Sequence, residues 1–382
     1  MTKPGTSAIT GIGQTAYSKQ SGKTVLALCV EAGMAAIGDA GLEPADIDGL
    51  ISFTFDTNDE LELQQALGIP DLNWVGRLPF GGAGAFATFQ MAAAAVESGA
   101  ANHVLIYRSF NERSESRFGQ PNAFAWMYGE GRDLNRSYGL STPAQAYALQ
   151  CRPYLDRFGV TSADLGRYVV QARAYAATNP QAWFYQRPLS LDEHQASRWI
   201  VEPVLRLLDC CQESDGGAAF VVSRLNHART SGRPVIRILA AEQSWLRGAG
   251  ILYDHQREDL TRLDSTERLA AKVWARTGLS PREVDVMMIY DAFSPNVLMK
   301  LEAFGFCGHG EAKELIASGG IGPGGTIPVN TNGGLLGEGY IHGMNNAIEA
   351  VRQLRGTAPN QIAGAGIALV ANTNCAVLLA RE

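Results

Sequence analysis

The side chains best placed to do chemistry sit in one glycine-rich turn, Ile-Pro-Val-Asn-Thr-Asn-Gly-Gly-Leu-Leu-Gly-Glu-Gly-Tyr-Ile-His-Gly, residues 327–343. A short apolar run enters this turn and a helix-like run, 345–354, leaves it. Glycine lets the backbone take φ > 0 and approach a ligand closely, so Gly333, Gly334 and Gly339 are expected to touch substrate. A helix starting just beyond aims unpaired N–H groups and the positive end of its dipole back into the turn. Tyr340 is the first bulky polar side chain offered there, and His342 follows it. A phenol ordinarily titrates near pH ~10. The helix dipole is expected to lower the pKa of Tyr340.

Two other glycine patterns compete. Gly11-Ile-Gly13-Gln-Thr-Ala16 and Gly82-Ala-Gly84-Ala-Phe-Ala87 both fit the dinucleotide-binding form G-x-G-x-x-A. After the first, the helix begins only near residue 22, and no acidic residue ends a second strand at the required distance. The second lacks a convincing strand before it. A nicotinamide site is set aside. The sequence contains no P-loop, nucleophile-elbow or H-E-x-x-H motif. Six cysteines, at 29, 151, 210, 211, 307 and 375, show no C-x-x-C spacing, which supports neither a zinc site nor a disulfide framework. The Cys210–Cys211 pair reads as structural, because cysteine is often a small buried apolar residue.

Composition narrows the class further. The chain has 382 residues, enough for two domains or two fused halves. A net charge of −6 without a Lys/Arg block argues against nucleic acid. No run approaches the length of a transmembrane helix, and residues 1–7 lack the apolar core of a signal peptide. The expectation is a cytoplasmic protein with reduced thiols.

The elements that must position the turn reveal a repeat. Residues 6–12 read as a strand and 22–40 as a helix, followed by Gly41-Leu-Glu-Pro-Ala-Asp-Ile-Asp-Gly-Leu-Ile51. The same punctuation returns as Gly278-Leu-Ser-Pro-Arg-Glu-Val-Asp-Val-Met-Met-Ile289, at an offset of 278 − 41 = 237. A helix (266–276) again precedes it, and 234–241 repeats the first strand. Downstream, each copy has glycines, an apolar helix and a strand: 81–84, 86–96 and 103–107 in the first, the opening turn, 345–354 and 366–371 in the second. This is a duplicated α/β unit, with halves at 1–230 and 231–382 that face each other and bring both glycine turns to one axis. Residues 108–205 have no counterpart in the second copy. They are rich in aromatics, including Trp126, Tyr128, Tyr138, Tyr147 and Trp183, with helix-like runs at 143–157 and 162–178. This insertion is either a substrate-shaping subdomain or a surface excursion with its own core.

At this point the motifs converge on a family. Tyr138-Gly-Leu-Ser-Thr-Pro143, Leu207-Leu-Asp-Cys-Cys211 with Ser214-Asp-Gly-Gly, Tyr290-Asp-Ala-Phe-Ser294 and Pro328-Val-Asn-Thr-Asn-Gly-Gly334 span nearly the whole chain. Together they resemble the sterol-carrier and lipid-transfer-protein branch of the thiolase superfamily. The resemblance implies a thiolase-like fold of two βαβαβ halves in five layers, αβαβα. It also marks departures. Where a thiolase keeps its nucleophilic cysteine, this chain reads Gly-Gly-Ala-Gly after Phe80, with Gly82 near the nucleophile position. The thiolase Gly-His-Pro turn is replaced by Gly339-Tyr340-Ile341, and the Asn or His of the strand end by Tyr290. No thiol matches the second thiolase cysteine; Cys375 falls a few residues late.

A lost nucleophile with two tyrosines at the enolate-binding positions resembles the steroid side-chain-cleaving aldolases of the lipid-transfer-protein family. That resemblance implies retro-aldol cleavage of a β-hydroxyacyl-CoA, with Tyr290 and Tyr340 catalytic and Gly82, Gly333, Gly334, Gly339 and His342 around the substrate. It implies no cofactor or metal in this chain beyond the CoA of the substrate. It further implies a homodimer, and a small OB-fold/zinc-ribbon partner that could carry zinc, making a heterotetramer. No basic cluster for the CoA phosphates stands out in the sequence. Two alternatives stay open: a thiolase-type acyltransferase using another cysteine, and an inactive thiolase-fold lipid-binding subunit.

Overall fold

The computed structural model describes residues 5–79, 81–115, 117–120, 137–230, 232–246 and 257–382. Phe80, Trp126 and Tyr128 lie outside the described residues. Among those described, nine strands form one mixed sheet: β1 (Ser7–Gln14), β2 (Gly49–Phe53), β3 (Trp74–Leu78), β4 (His103–Asn111), β5 (Asp215–Arg224), β6 (Ile236–Gln243), β7 (Val286–Ile289), β8 (Ile367–Ala371) and β9 (Cys375–Arg381). Their spatial order is β3-β2-β4-β5-β1-β6-β9-β8-β7.

The duplication is written into this pairing. β2 runs parallel to β3 and β4, and β5 runs antiparallel to β4 and β1. Beyond β1 the pattern returns in reverse: β8 is parallel to β7 and antiparallel to β9, which is antiparallel to β6. A lone parallel bridge between Met287 and Val329 marks the place of a third-strand counterpart. The half-sheets join where Ala8 pairs Arg237 and Ile9 pairs Ile236. The repeated punctuation forms two single-turn helices, Pro44–Asp46 and Pro281–Glu283, each leading into a strand at the same offset, 286 − 49 = 237.

Helices α1 (Val25–Asp39) and α2 (Glu60–Leu67) cover the outer face of the first half-sheet against Leu50, Leu105, Tyr107 and Val221. Then come α3 (Ala87–Ser98), α4 (Pro143–Phe158), α5 (Ser162–Thr178), α6 (Asp264–Thr277) and α7 (Met344–Arg355). α3 and α7 pack against strands of both halves, and α6 covers β6 and β9 on the far side. The result is five layers. β5 is buried along nearly its whole length, and its run Gly-Gly-Ala-Ala-Phe-Val-Val has the apolar continuity of a strand covered on both faces.

The inserted segment begins later than its expected bound, because β4 continues through Asn111. α4 and α5 match the two helix-like runs. Thr142 and Thr161 supply capping boxes, and Pro143 opens α4 at its first turn. A small ribbon, Trp199–Val201 with Leu205–Arg206, closes the segment.

Candidate active site

The two glycine turns do meet, and the contact is close. A Cβ on Gly82 would lie 2.4 Å from Cδ2 of His342 and 3.1 Å from the hydroxyl of Tyr290. No side chain fits there without displacing the imidazole. The turn is pinned from the second half: the Gly82 carbonyl accepts from Asn372 Nδ2 at 2.8 Å, and the Ala83 carbonyl from Cys375 Sγ at 3.0 Å.

Tyr290 stands at the exit of β7. Its N–H donates to the Ala371 carbonyl at 2.9 Å, and its carbonyl accepts from the buried Lys300 ammonium at 2.7 Å. Desolvation lowers the Lys300 pKa to about 8, while Asp291 acts to keep it charged. Asp291 is itself fixed by the Leu335 N–H and the Tyr168 hydroxyl, at 2.8 and 2.7 Å. Tyr340 is held by its own N–H, which reaches Ser214 Oγ at 3.2 Å, and its ring packs edge-on against Phe110 and Phe118. The hydroxyls of Tyr290 and Tyr340 share a hydrogen bond of 2.7 Å.

Burial decides the electrostatics. Both phenols titrate well above the ordinary value. Desolvation is the chief cause for each; Tyr147 adds to it for Tyr290, and Tyr290 adds to it for Tyr340. This corrects the expected dipole-acidified phenol. The dipole effect fades beyond a helix's first turn, and a ring enclosed among aromatics loses more by desolvation than it gains there. Both tyrosines are therefore neutral O–H groups near neutral pH.

His342 is neutral too, its pKa depressed by burial and by the adjacent Arg108. Arg108 Nε donates to His342 Nδ1 at 3.2 Å, which leaves the ring proton on Nε2. Arg108 in turn pairs with the buried Asp56 at 3.4 Å and lies over the Phe110 ring. Tyr290, Tyr340 and His342 can thus all donate hydrogen bonds into the cavity they line.

These residues border a cavity of about 730 Å³. Gly82, Tyr290, Tyr340 and His342 line it; Gly333, Gly334 and Gly339 do not. Those three glycines serve close packing instead. Hypothetical Cβ atoms on them would meet Ala176, the Asp291 carboxylate and the Tyr17 ring at 2.5, 2.2 and 2.6 Å. The inserted segment supplies part of the wall, including Tyr147, Arg173 and Phe184.

Two features of the wall escaped the linear reading. Cys210 and Cys211 line the cavity rather than lying apart from it, and burial pushes both thiols up. Lys19, Arg113, Arg117, Arg173 and Arg198 also line it, so a basic cluster does exist. It is assembled from separate segments, so no run of charge announces it. Among the described residues no group of three potential ligands could hold a metal.

With the site drawn, the comparisons take on meaning. The Thiolase C-terminal domain-like family profile matches residues 251–379. A steroid side-chain-cleaving aldolase of Thermomonospora curvata is 47% identical over 94% of this chain and 92% of its own. The chain belongs to the thiolase-fold steroid side-chain-cleaving aldolases. A 17-hydroxy-3-oxo-4-pregnene-20-carboxyl-CoA lyase of Mycobacterium tuberculosis is 46% identical, covering 96% of each chain. A solved structure described as an Ltp2–ChsH2(DUF35) aldolase superposes with a TM-score of 0.92, at 45% identity over 99% of this chain and 98% of that one. As a member of this aldolase family the protein is a carbon–carbon lyase. The absence of a nucleophile at Gly82 accords with a reaction that makes no acyl-enzyme.

Proposed function

We propose that this protein cleaves the side chain of a steroid β-hydroxyacyl-CoA by a retro-aldol reaction, releasing a 17-ketosteroid of the androstene type and propionyl-CoA or a similar short acyl-CoA. One observation carries the reading: the Tyr290 hydroxyl, hydrogen-bonded to that of Tyr340, lies against Gly82 beside the His342 imidazole. The place of a nucleophile's side chain is taken by the His342 imidazole, which the bare Gly82 lets come close to the backbone. In the phenol pair one hydroxyl donates to the other, so one O–H remains free for substrate. That O–H and His342 Nε2–H converge on the thioester oxygen and stabilise it as the enolate forms.

Apolar wall residues such as Tyr147, Phe184, Leu208 and Phe293 suit a multi-ring body, and the volume is that of a small-molecule site. The basic cluster suits the phosphates of CoA. The wider assembly follows the same reading: a homodimer joined by a small OB-fold/zinc-ribbon partner into a heterotetramer, any zinc being the partner's. The description of the 45%-identical relative as an Ltp2–ChsH2(DUF35) aldolase supports that partner. No helix among the described residues is long and apolar enough to cross a membrane, which accords with a cytoplasmic enzyme.

The test is direct. Incubation with a 17-hydroxy-3-oxosteroid 20-carboxyl-CoA thioester is expected to yield stoichiometric 17-ketosteroid and propionyl-CoA. Intact substrate recovered with the protein both alone and co-expressed with the partner would sink the reading.

A further inference from the structure

The reaction needs a base, and neither tyrosine can be one without help. The β-hydroxyl must lose its proton as the carbon–carbon bond breaks, yet both phenols hold theirs far above neutral pH. His342 has committed its acceptor nitrogen to Arg108. Lys19 donates to Gln212 and to the Glu213 carbonyl. Glu213 is occupied by Arg117 and the Gly119 N–H.

One carboxyl on the cavity wall is unused. Glu112 follows directly on the end of β4, borders the cavity and is 1% exposed. Neither carboxyl oxygen bonds to a side chain, and the Ser214 N–H is the one backbone donor directed at the group. A buried carboxyl with so little hydrogen bonding is costly, and a native fold that keeps one calls for an explanation. It lines the same cavity as the two phenols. A charge on Glu112 is felt by Tyr290, Tyr340 and Cys211. Glu213 opposes its ionisation, while Arg108, Lys19 and the Ser214 N–H favour it.

We propose that Glu112 is a catalytic residue, the group that takes the β-hydroxyl proton and returns it to the α-carbon. This rests on the retro-aldol reading above. The step balances without a co-reactant. The O–H bond breaks and its proton passes to the Glu112 carboxylate. The oxygen's electrons form the ketone, and the Cα–Cβ pair moves into the thioester as an enolate. The enolate carbon then takes the proton back from the Glu112 carboxylic acid and releases the short acyl-CoA. Burial supports the role, because it raises the Glu112 pKa well above the ordinary carboxyl range and so strengthens the carboxylate as a base.

Glu112→Gln tests it, measured with the steroid CoA thioester across pH. The expected result is a kcat lower by about 100-fold or more, with KM within about threefold. The wild-type rate falls on the acid side as Glu112 protonates; in the variant that limb is gone. Glu112→Asp keeps the limb and recovers part of the rate. The thermal midpoint of Glu112→Gln is expected to equal or exceed that of the wild type, since the buried carboxyl it replaces has no side-chain partner and the amide oxygen can still accept from Ser214. If Glu112→Gln does not fold, the limb in Glu112→Asp carries the same test through its altered apparent pKa. A Glu112→Gln variant with near-normal kcat, or one that keeps the acid limb unchanged, overturns the assignment alone. A wild type that releases no ketone overturns the aldolase reading and this assignment together.

Discussion

The two central helices are copies of one element, yet they have been used in opposite ways. α3 is rich in alanine, and the turn before it offers the cavity only Gly82 and Ala83, with no polar side chain. α7 is almost wholly buried but carries Asn345, Asn346, Glu349 and Gln353 into that interior. These side chains clamp the segment leading to Tyr340. Asn345 reaches Glu338 at 2.8 Å, Asn346 reaches the Ile289 carbonyl at 2.7 Å, and Thr331 and Gln353 bond to Glu349 at 2.7 and 3.0 Å. The first copy supplies room, and the second supplies chemistry on a rigid polar frame. A lyase that forms no covalent intermediate needs both.

That division can be broken from either side. Removing the hydroxyl of the second copy should do most: Tyr340→Phe is expected to lower kcat by about 10³-fold in a steroid-CoA cleavage assay, with substrate binding largely kept. The polar frame of α7 comes next. Burial raises the Glu349 pKa to about 7, with Glu338 adding to the effect and the hydrogen bonds from Thr331 and Gln353 opposing it. The folded state then holds a proton that the unfolded chain gives up near pH ~4.5. Stability from this group is complete below that point and is lost as pH rises to about 7. Thermal midpoints measured against pH should show a drop worth up to about 3 kcal/mol that Glu349→Gln lacks.

On the first-copy side, Gly82→Val should push the imidazole of His342 aside and cost about 10²-fold in kcat/KM, with a smaller change for Gly82→Ala. Equal activity in Gly82→Val and wild type would show that the close seating of His342 on Gly82 is not needed for the reaction. The smallest effect is expected at Cys375, whose thiol burial pushes up to about 12 and whose Sγ is tied to Ala83. Cys375→Ala should leave kcat within about twofold and lower stability by about 1 kcal/mol. An acyl adduct on this cysteine by intact mass would revive the acyltransferase alternative.

How much of this was legible before folding varies with how local each signal is. The Gly-Leu-x-Pro punctuation, the paired helices of the insertion and the tyrosine substitutions all depend on neighbours in sequence, and the structure reproduces them. The pairing of Tyr290 with Tyr340 also came through, because the family resemblance puts both at the enolate-binding positions of the second copy. What failed was tertiary. Gly333, Gly334 and Gly339 were read as ligand contacts, when their missing side chains make room for Ala176, Asp291 and Tyr17. The helix-dipole argument for Tyr340 ignored how completely the ring is enclosed. Glu112, Cys211 and the cations of the wall share no motif with the turn, and only long-range packing brings them beside it.

The join between β1 and its neighbours has a consequence for how the molecule comes into being. Ser7 pairs with Arg224, Cys375 pairs with Gln243, and the cavity residues Asn372, Thr373 and Asn374 form the link between β8 and β9. Contacts so remote in sequence form slowly. On the ribosome, the first half-sheet waits for residue 224, and the wall opposite Gly82 waits for β9. A chain made only as far as the first half thus exposes sheet edges and lacks the wall opposite Gly82.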